Sequence, residues 1–269
     1  GVFGTTTVRA LIAKVQVVRW RWICFGLGLL ILVVAFGAGR MVEKNPPPEP
    51  EPEPTEMEEK GEGNPALEGA RLVFRSPYLL SIVAIVGLYE IVSTVMDFQF
   101  TSTIAHYLSG PAIGKQFATV FAITNIVSML VQLFLTSFVM SRLGVGVALM
   151  VLPVAALAGS TGFMALPVLW MGSGLNTVDN GFSYSINQSA KEALYVPTTK
   201  DEKYKAKAFI DMFVQRFAKA VAVGVSLGIT MVFREFSSLR YLSAFTIGII
   251  VIWVFAVRYA GRKFREMTE

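Results

Sequence analysis

Seven stretches of this chain are long and apolar enough to cross a lipid bilayer, and nothing else in the sequence limits its fold as much. A membrane helix needs about 20 mainly apolar residues to traverse a hydrocarbon core of roughly 30 Å. The stretches are Arg21 to Gly39, Tyr78 to Asp97, Gln116 to Met140, Val145 to Phe163, Leu166 to Ala190, roughly Ala208 to Phe233, and Leu239 to Val257. Lipid offers the backbone no hydrogen-bond partner, so each is expected to be helical. Only 16% of residues are charged, too few to cover the surface of a water-soluble domain, where about a quarter is usual. The predicted class is an all-α polytopic membrane helix bundle. Residues 1–20, interrupted by Arg9 and Lys14, read as the remnant of an upstream helix or loop. The sequence opens at Gly1 without Met and in mid-pattern, which predicts a piece of a longer polypeptide.

One polar stretch divides the apolar pattern. Residues 40–71 include Pro46-Pro-Pro-Glu-Pro-Glu-Pro-Glu-Pro54, and nine of the 19 acidic residues lie between Glu43 and Gly69. Alternating Pro and Glu cannot bury a core and favours an extended, self-repelling chain, so this is expected to be a disordered linker. Residues 21–39 then form the last helix of an N-terminal half. Residues 72–260 form a six-helix unit, and 261–269 a basic tail. Six closely connected helices after such a tether resemble the C-terminal half of a major facilitator-like, twelve-helix transporter, which implies a missing N-terminal half as partner.

Charge supports an orientation. Outside the acidic stretch, 22 basic residues face 10 acidic ones. With the linker in the cytoplasm, Arg71, Arg75, Arg142, Lys191 through Lys207, and Arg258, Arg262, Lys263 and Arg265 all fall on the inner side. Lys115, Arg234 and Arg240 fall outside, as the positive-inside rule expects. Arg19 and Arg21 are on the wrong side. The expected location is a bacterial inner membrane or organelle envelope, with linker and C-terminus cytoplasmic. The lone Cys24 cannot form an internal disulfide, and its apolar surroundings predict a small buried side chain.

Ionisable residues within the spans need a reason, because each costs some 2.5 to 3.5 kcal/mol at a helix centre on insertion scales. In the second span Glu90 and Asp97 lie two turns apart on one face, either as structural carboxylates or as a cavity wall or proton site. Asn125 and Gln132 repeat that spacing in the third, where interhelical hydrogen bonding explains them equally well. The fifth is the most polar: Asp179, Ser183, Asn187 and Lys191 step by four, near Asn176 and Glu192, and must face protein or water. We expect a water-filled path there.

Thr199 and Glu202 have capping-box spacing and predict a helix from about Lys200. From Lys200 to Phe233 it would span about 51 Å at 1.5 Å per residue, so its start protrudes. Farther in, Asp211, Gln215 and Lys219 step by four beside Arg216. A desolvated Lys219 there pairs with Asp211 or Asp179, or meets an anionic solute. Gly144, Gly146, Gly159, Gly162, Gly172, Gly174 and Gly181 offer small surfaces for helix packing, and Pro153 a kink. There is no Walker-type loop. One histidine, His106, and one cysteine build no Cys/His metal site or histidine triad. We expect no enzyme, cofactor, metal or nucleic-acid partner.

The segment Ser183-Tyr-Ser-Ile-Asn-Gln-Ser-Ala-Lys-Glu-Ala-Leu-Tyr-Val-Pro197, with Lys203-Tyr-Lys-Ala-Lys-Ala-Phe-Ile-Asp211 and Arg216-Phe-Ala-Lys219, resembles the nucleotide (ATP/ADP) translocases of plastids and intracellular bacteria. It looks closer still to their relatives in free-living bacteria. The matching residues are Lys191, Glu192, Tyr195, Pro197, Lys205, Lys207, Ala208, Ile210, Asp211, Arg216 and Lys219. Asp97-Phe-Gln-Phe100 resembles the family's acidic residue followed by polar and aromatic positions. The sequence departs at Ser183 and Thr101, where the family has lysine, at Asn187-Gln-Ser189 for Phe-Asp-Pro, and at Ala220-Val-Ala222 for Ser-Gly-Gly.

The resemblance implies nucleotide exchange by alternating access. Lys219 is then a phosphate partner and Asp97 a gating or pairing acid. Substrate-binding candidates are Lys219, Arg216, Lys191, Asn187, Asp179, Gln215, Asn125 and Gln132; gating or coupling candidates are Asp97, Glu90, Glu192 and Asp211. The substrate is a nucleotide or related organic anion. Alternatives are a proton-coupled carrier of another small solute, using Glu90, Asp97 and Asp179, and a non-transporting membrane scaffold.

Overall fold

The computed structural model describes residues 4, 5, 7, 17–44, 65–200, 202–233 and 235–268. The tether's Pro/Glu core, Arg234 and most of residues 1–16 lie outside the described residues. Helix α1 (Val17–Lys44) precedes a short α2 (Pro65–Arg75) and a long α3 (Pro77–Tyr107). Then come α4 (Pro111–Arg142) and α5 (Val145–Ala165). Helix α6 is α-helical over Leu169–Phe182 and Gln188–Ala193, with a π-helical segment Ser183–Asn187 between. Helix α7 (Glu202–Val232) and α8 (Leu239–Thr268) close the chain.

Among the described residues, six helices are long and apolar enough to span a membrane, one fewer than expected. The exception is α6, whose second half carries too many amides and hydroxyls. The bundle shelters this helix: Asn176, Asp179, Ser183 and Asn187 are all buried. Helical boundaries also differ from expectation. Helix α1 is continuous across the predicted break at residue 20, and helix occupies both ends of the expected 40–71 linker, up to Lys44 and again from Pro65.

Local chemistry sets the helix ends. Ser76 separates α2 from α3 because a residue before proline is pushed out of the α region; its Oγ accepts from the Leu79 N–H at 3.3 Å, and Pro77 takes the first helical position. Gly110 and Gly144, at φ +56° and +82°, make turns that side-chain-bearing residues resist. Gly144 is therefore a turn residue rather than a packing surface. The predicted capping box forms: Glu202 N–H donates to Thr199 Oγ1 at 3.3 Å, and Thr199 N–H to Glu202 Oε2 at 3.1 Å.

Helix α3 is the central rod, packed against α6, α7 and α8, while α5 packs on α6 and α8 and α4 on α6. Lipid tails are as apolar as leucine, so close fit and interhelical hydrogen bonds hold such helices together. A Cβ on Gly261 of α8 would stand 3.2 Å from the Cα of Gly146 on α5, and one on Gly172 of α6 would be 3.0 Å from Thr103 on α3. Among the described residues nothing lies within 4 Å of a Cβ on Gly174, so the expected packing role fails there. Buried Gln99 on α3 donates to Leu239 O at 2.9 Å and Ser243 Oγ at 2.8 Å on α8.

Contacts at the two ends show alternating helix directions. At one end Tyr78 Oη donates to Leu194 O at 2.7 Å, and α2 packs on the start of α7. At the other His106 stacks on Phe236 with centroids 3.9 Å apart. Cys24 is exposed rather than buried. No residue in the most apolar window of its helix α1 is buried among the described residues, so apolar neighbours in sequence do not make a core there.

Candidate functional site

The polar side chains of α3, α6 and α7 form three groups along the bundle. The first lies on the α3–α7 seam. Lys219 Nζ is 3.5 Å from Glu90 Oε2; the carboxylate is buried, whereas 58% of the lysine side chain is exposed. Lys191 and Asp211 are the next charges near that carboxylate. Gln215 Nε2 donates to Asp211 Oδ1 at 3.0 Å, so Asp211 is engaged within its own helix. The lysine thus takes Glu90 as partner, where spacing pointed to Asp211 or Asp179. Arg216 is exposed, one turn before Lys219.

The helix that carries Lys219 explains this placement. Ala206, Ile210, Ala218 and Ala222 make the buried seam of α7, and small side chains there let the α3 and α7 backbones come close. Lys219 follows Ala218 and emerges at the edge of that seam. Two π-helical segments, Glu202–Ala206 and Ile210–Val214, lie in its first half. π-Helical turns are rare and frequently found at functional sites.

The second group joins α3 to α6. Ser93 Oγ donates to Asp179 Oδ2 at 2.6 Å, and Asn176 Nδ2 to Asp97 Oδ1 at 3.3 Å. Asp179 is 3% exposed and Asn176 2%, whereas Asp97 opens to the surface. The side-chain carbonyls of Asn176 and Asn187 are buried without a hydrogen-bond partner. The π-helical segment Ser183–Asn187 lies within this polar stretch, so Asp179, Ser183 and Asn187 are buried together without the regular α-helical stripe that their spacing suggested. The expected wet path is divided: Asp179 and Asn187 close against protein, while Asp97, Lys219 and Arg216 stand on open surface.

The third group clips α6 to α7 near the turn between them. Lys207 Nζ pairs with Glu192 Oε2 at 2.6 Å, and Gln188 Nε2 donates to Glu192 Oε1 at 3.0 Å. Lys207 also sits 5.7 Å from the Tyr195 ring centroid, within reach of a cation–π attraction. Burial raises the Tyr195 phenol above its ordinary range and keeps it neutral.

Two candidates stand apart. Asn125 on α4 is half-buried and donates to Thr5 Oγ1 at 3.4 Å. Gln132 is exposed in the π-helical segment Val131–Thr136 of the same helix. The link between α4 and α6 runs instead through Thr124 with Thr177 at 3.2 Å and Gln116 with Ser173 at 2.9 Å. Sequence reasoning missed Ser93 as the partner of Asp179 and Lys207 as the partner of Glu192. Both pairings are tertiary; the only local hint was that Ser93 lies between Glu90 and Asp97.

A family model of the Major Facilitator Superfamily matches residues 2–190. The chain belongs to that superfamily. A second family model, TLC ATP/ADP transporter, matches residues 164–264 and covers α6, α7 and most of α8. This superfamily member is similar to ADP,ATP carrier protein 1 of Chlamydia muridarum, 24% identical over 73% of this chain and 41% of that protein. It is also similar to chloroplastic ADP,ATP carrier protein 2 of Arabidopsis thaliana, 22% identical over 75% of this chain and 36% of the relative. The plastidic ATP/ADP-transporter of Solanum tuberosum is 20% identical over 76% and 36%. The chain spans about two fifths of the length of the curated relatives it matches. No solved structure matches it. Superfamily membership and the spanning helices make it a multi-pass integral membrane protein.

Proposed function

We propose that this chain is the phosphate-gripping part of a nucleotide or related organic-anion exchanger that works by alternating access. The observation that carries the reading is the half-open Lys219–Glu90 pair at 3.5 Å on the α3–α7 seam, whose lysine lies inside the segment 164–264 that resembles ATP/ADP transporters. An ammonium inside a membrane span needs a counter-charge. Glu90 supplies one from the protein side and leaves the exposed side of Lys219 for a phosphate, which suits a compact point charge. Arg216 and Lys191 raise the positive potential around it. A bound polyanion competes with Glu90, and loosening that pair loosens the α3–α7 seam. The Lys207–Glu192 clip, with Gln188, serves as a latch at the inner end.

The exposed positions Lys219, Arg216 and Asp97 are where a further helical unit closes the cavity, so helices α3–α8 act as a C-terminal half. The cation-rich end, with Arg71, Arg142, Lys203 and Lys263, faces the cytoplasm under the positive-inside rule. The linker and C-terminus lie on that side, in a bacterial inner membrane or organelle envelope.

A thermal shift of the full-length protein against ATP, ADP and inorganic phosphate tests the reading: the nucleotides should raise the melting temperature in a saturable manner. No shift with any of these anions would exclude it.

A second reading has one observation in its favour. Asp179 is buried against the hydroxyl of Ser93 and has no ion pair among the described residues, an environment suited to a carboxyl that binds and releases a proton. A proton-coupled carrier would drive uptake with a pH gradient and ignore nucleotides.

A further inference from the structure

Helix α2 belongs to none of the three polar groups, yet it is fixed against the bundle with little freedom. A Cβ on Gly69 would run into the Lys205 carbonyl oxygen and stand 3.0 Å from Phe209 Cβ, so the backbones of α2 and α7 touch there. Val73, one turn on, is fully buried, and Glu68 pairs with Lys205 at 3.0 Å. The side beside this contact is of a different character. Arg71 and Arg75 are exposed one helical turn apart, and neither has a carboxylate partner among the described residues. Phe74 lies between them in sequence with 70% of its surface exposed. A cleft of about 170 Å³ is lined by Glu68, Arg71, Leu72, Arg75 and Lys205.

Position makes this combination informative. Only Ser76 separates α2 from the membrane-spanning α3 (Pro77–Tyr107), which places α2 at the bilayer surface. A short helix with cations beside an exposed aromatic ring is the pattern of an interfacial helix, whose ring enters the acyl region while its cations meet headgroups. Water alone explains two exposed arginines. It does not explain an exposed phenylalanine beside them on a helix so closely docked.

We propose that the cleft between α2 and the start of α7 binds the phosphate of an anionic phospholipid. Arg71 and Arg75 contact the headgroup, the Lys205–Glu68 pair forms the cleft wall without adding net charge, and Phe74 packs beside the acyl chains. The planar, multi-donor guanidinium suits a phosphate diester. Because α2 is locked to α7 through Gly69, a lipid held here anchors the inner end of α7 to the membrane plane. The site is distinct from the Lys219 surface and does not depend on what is transported.

The test is native mass spectrometry of the full-length protein released from nanodiscs of phosphatidylcholine with phosphatidylglycerol. Wild type should retain phosphatidylglycerol over phosphatidylcholine. The Arg71→Gln/Arg75→Gln variant should weaken that retention at least about tenfold, since each cation near an anionic surface contributes favourably. Lys263→Gln/Arg265→Gln, which removes the same charge from the tail, should leave it unchanged. Equal retention in wild type and the Arg71/Arg75 variant overturns the proposal, as does equal loss in the tail variant. Displacement of the lipid by millimolar inorganic phosphate would mean a soluble-anion site and overturns the lipid assignment too. Monodisperse elution of each variant confirms that loss of lipid is not loss of fold.

Discussion

Lys219 of α7 and Glu90 of α3 stand 3.5 Å apart across a helix seam, with the acid buried and 58% of the base's side chain open. That asymmetry separates function from stability. An ion pair so exposed on one side contributes at most about 1 kcal/mol to folding, so loss of Lys219 should show in ligand binding far more than in melting temperature. Loss of Glu90 should do something different. In Glu90→Gln the lysine keeps its charge without its internal competitor, and equilibrium binding of ADP to the full-length protein should tighten several-fold. Isothermal titration reads the change directly; weaker binding in Glu90→Gln would contradict the counter-charge role.

Ser93 is the donor that satisfies Asp179, at 2.6 Å in a buried setting. Ser93→Ala leaves a buried carboxyl oxygen without its partner and should destabilise the protein by about 1–3 kcal/mol. Ser93→Thr, which keeps the hydroxyl, should recover most of this. Thermal denaturation in detergent distinguishes them, and equal melting of Ser93→Ala and wild type would show that the bond contributes nothing.

The α5–α8 crossing has no room for side chains where Gly146 meets Gly261, since a Cβ on the latter would sit 3.2 Å from the former's Cα. Gly261→Leu should force the helices apart and cost about 1–3 kcal/mol, the range for overpacked cores. Gly174→Ala, with open space around its Cβ, should be neutral or slightly stabilising, because alanine favours helix. The paired melting curves test the packing account, and similar losses in both variants would argue against it.

Gly69→Ala should dislodge α2 from α7 through the clash with the Lys205 carbonyl. The effect should be local, with faster hydrogen exchange over residues 65–75 and at the start of α7 but little change in α8. Uniform protection across wild type and variant would mean that α2 docks by another route.

How far these relationships could be read in advance depended on their range. The helical rods and the Thr199–Glu202 cap were legible, because hydropathy and capping act over a few residues. Lys219 stood out as well, since an intramembrane cation demands explanation. Its partner did not: Glu90 lies on another helix, and the sequence pointed to Asp211 or Asp179, which take hydrogen bonds from Gln215 and Ser93 instead. Helix α6 read as a membrane span in its own right, although its polar half is buried by neighbours that no local pattern reveals. The π-helical segments were invisible because one extra residue per turn leaves no mark in composition. Glycines divided according to tertiary contact, so Gly146 packs while Gly144 turns the chain. Helix α2 was folded into the acidic linker because eleven residues next to a Pro/Glu run carry a weak signal on their own.

The most direct measurement is exchange of external labelled ADP against internal ATP in proteoliposomes holding full-length wild type or Lys219→Gln. The account predicts that the variant loses exchange by about 100-fold or more, the order expected when one partner of a desolvated charge contact is removed, while its melting temperature stays within a few degrees of wild type. Exchange at the wild-type rate in a folded Lys219→Gln protein would contradict it.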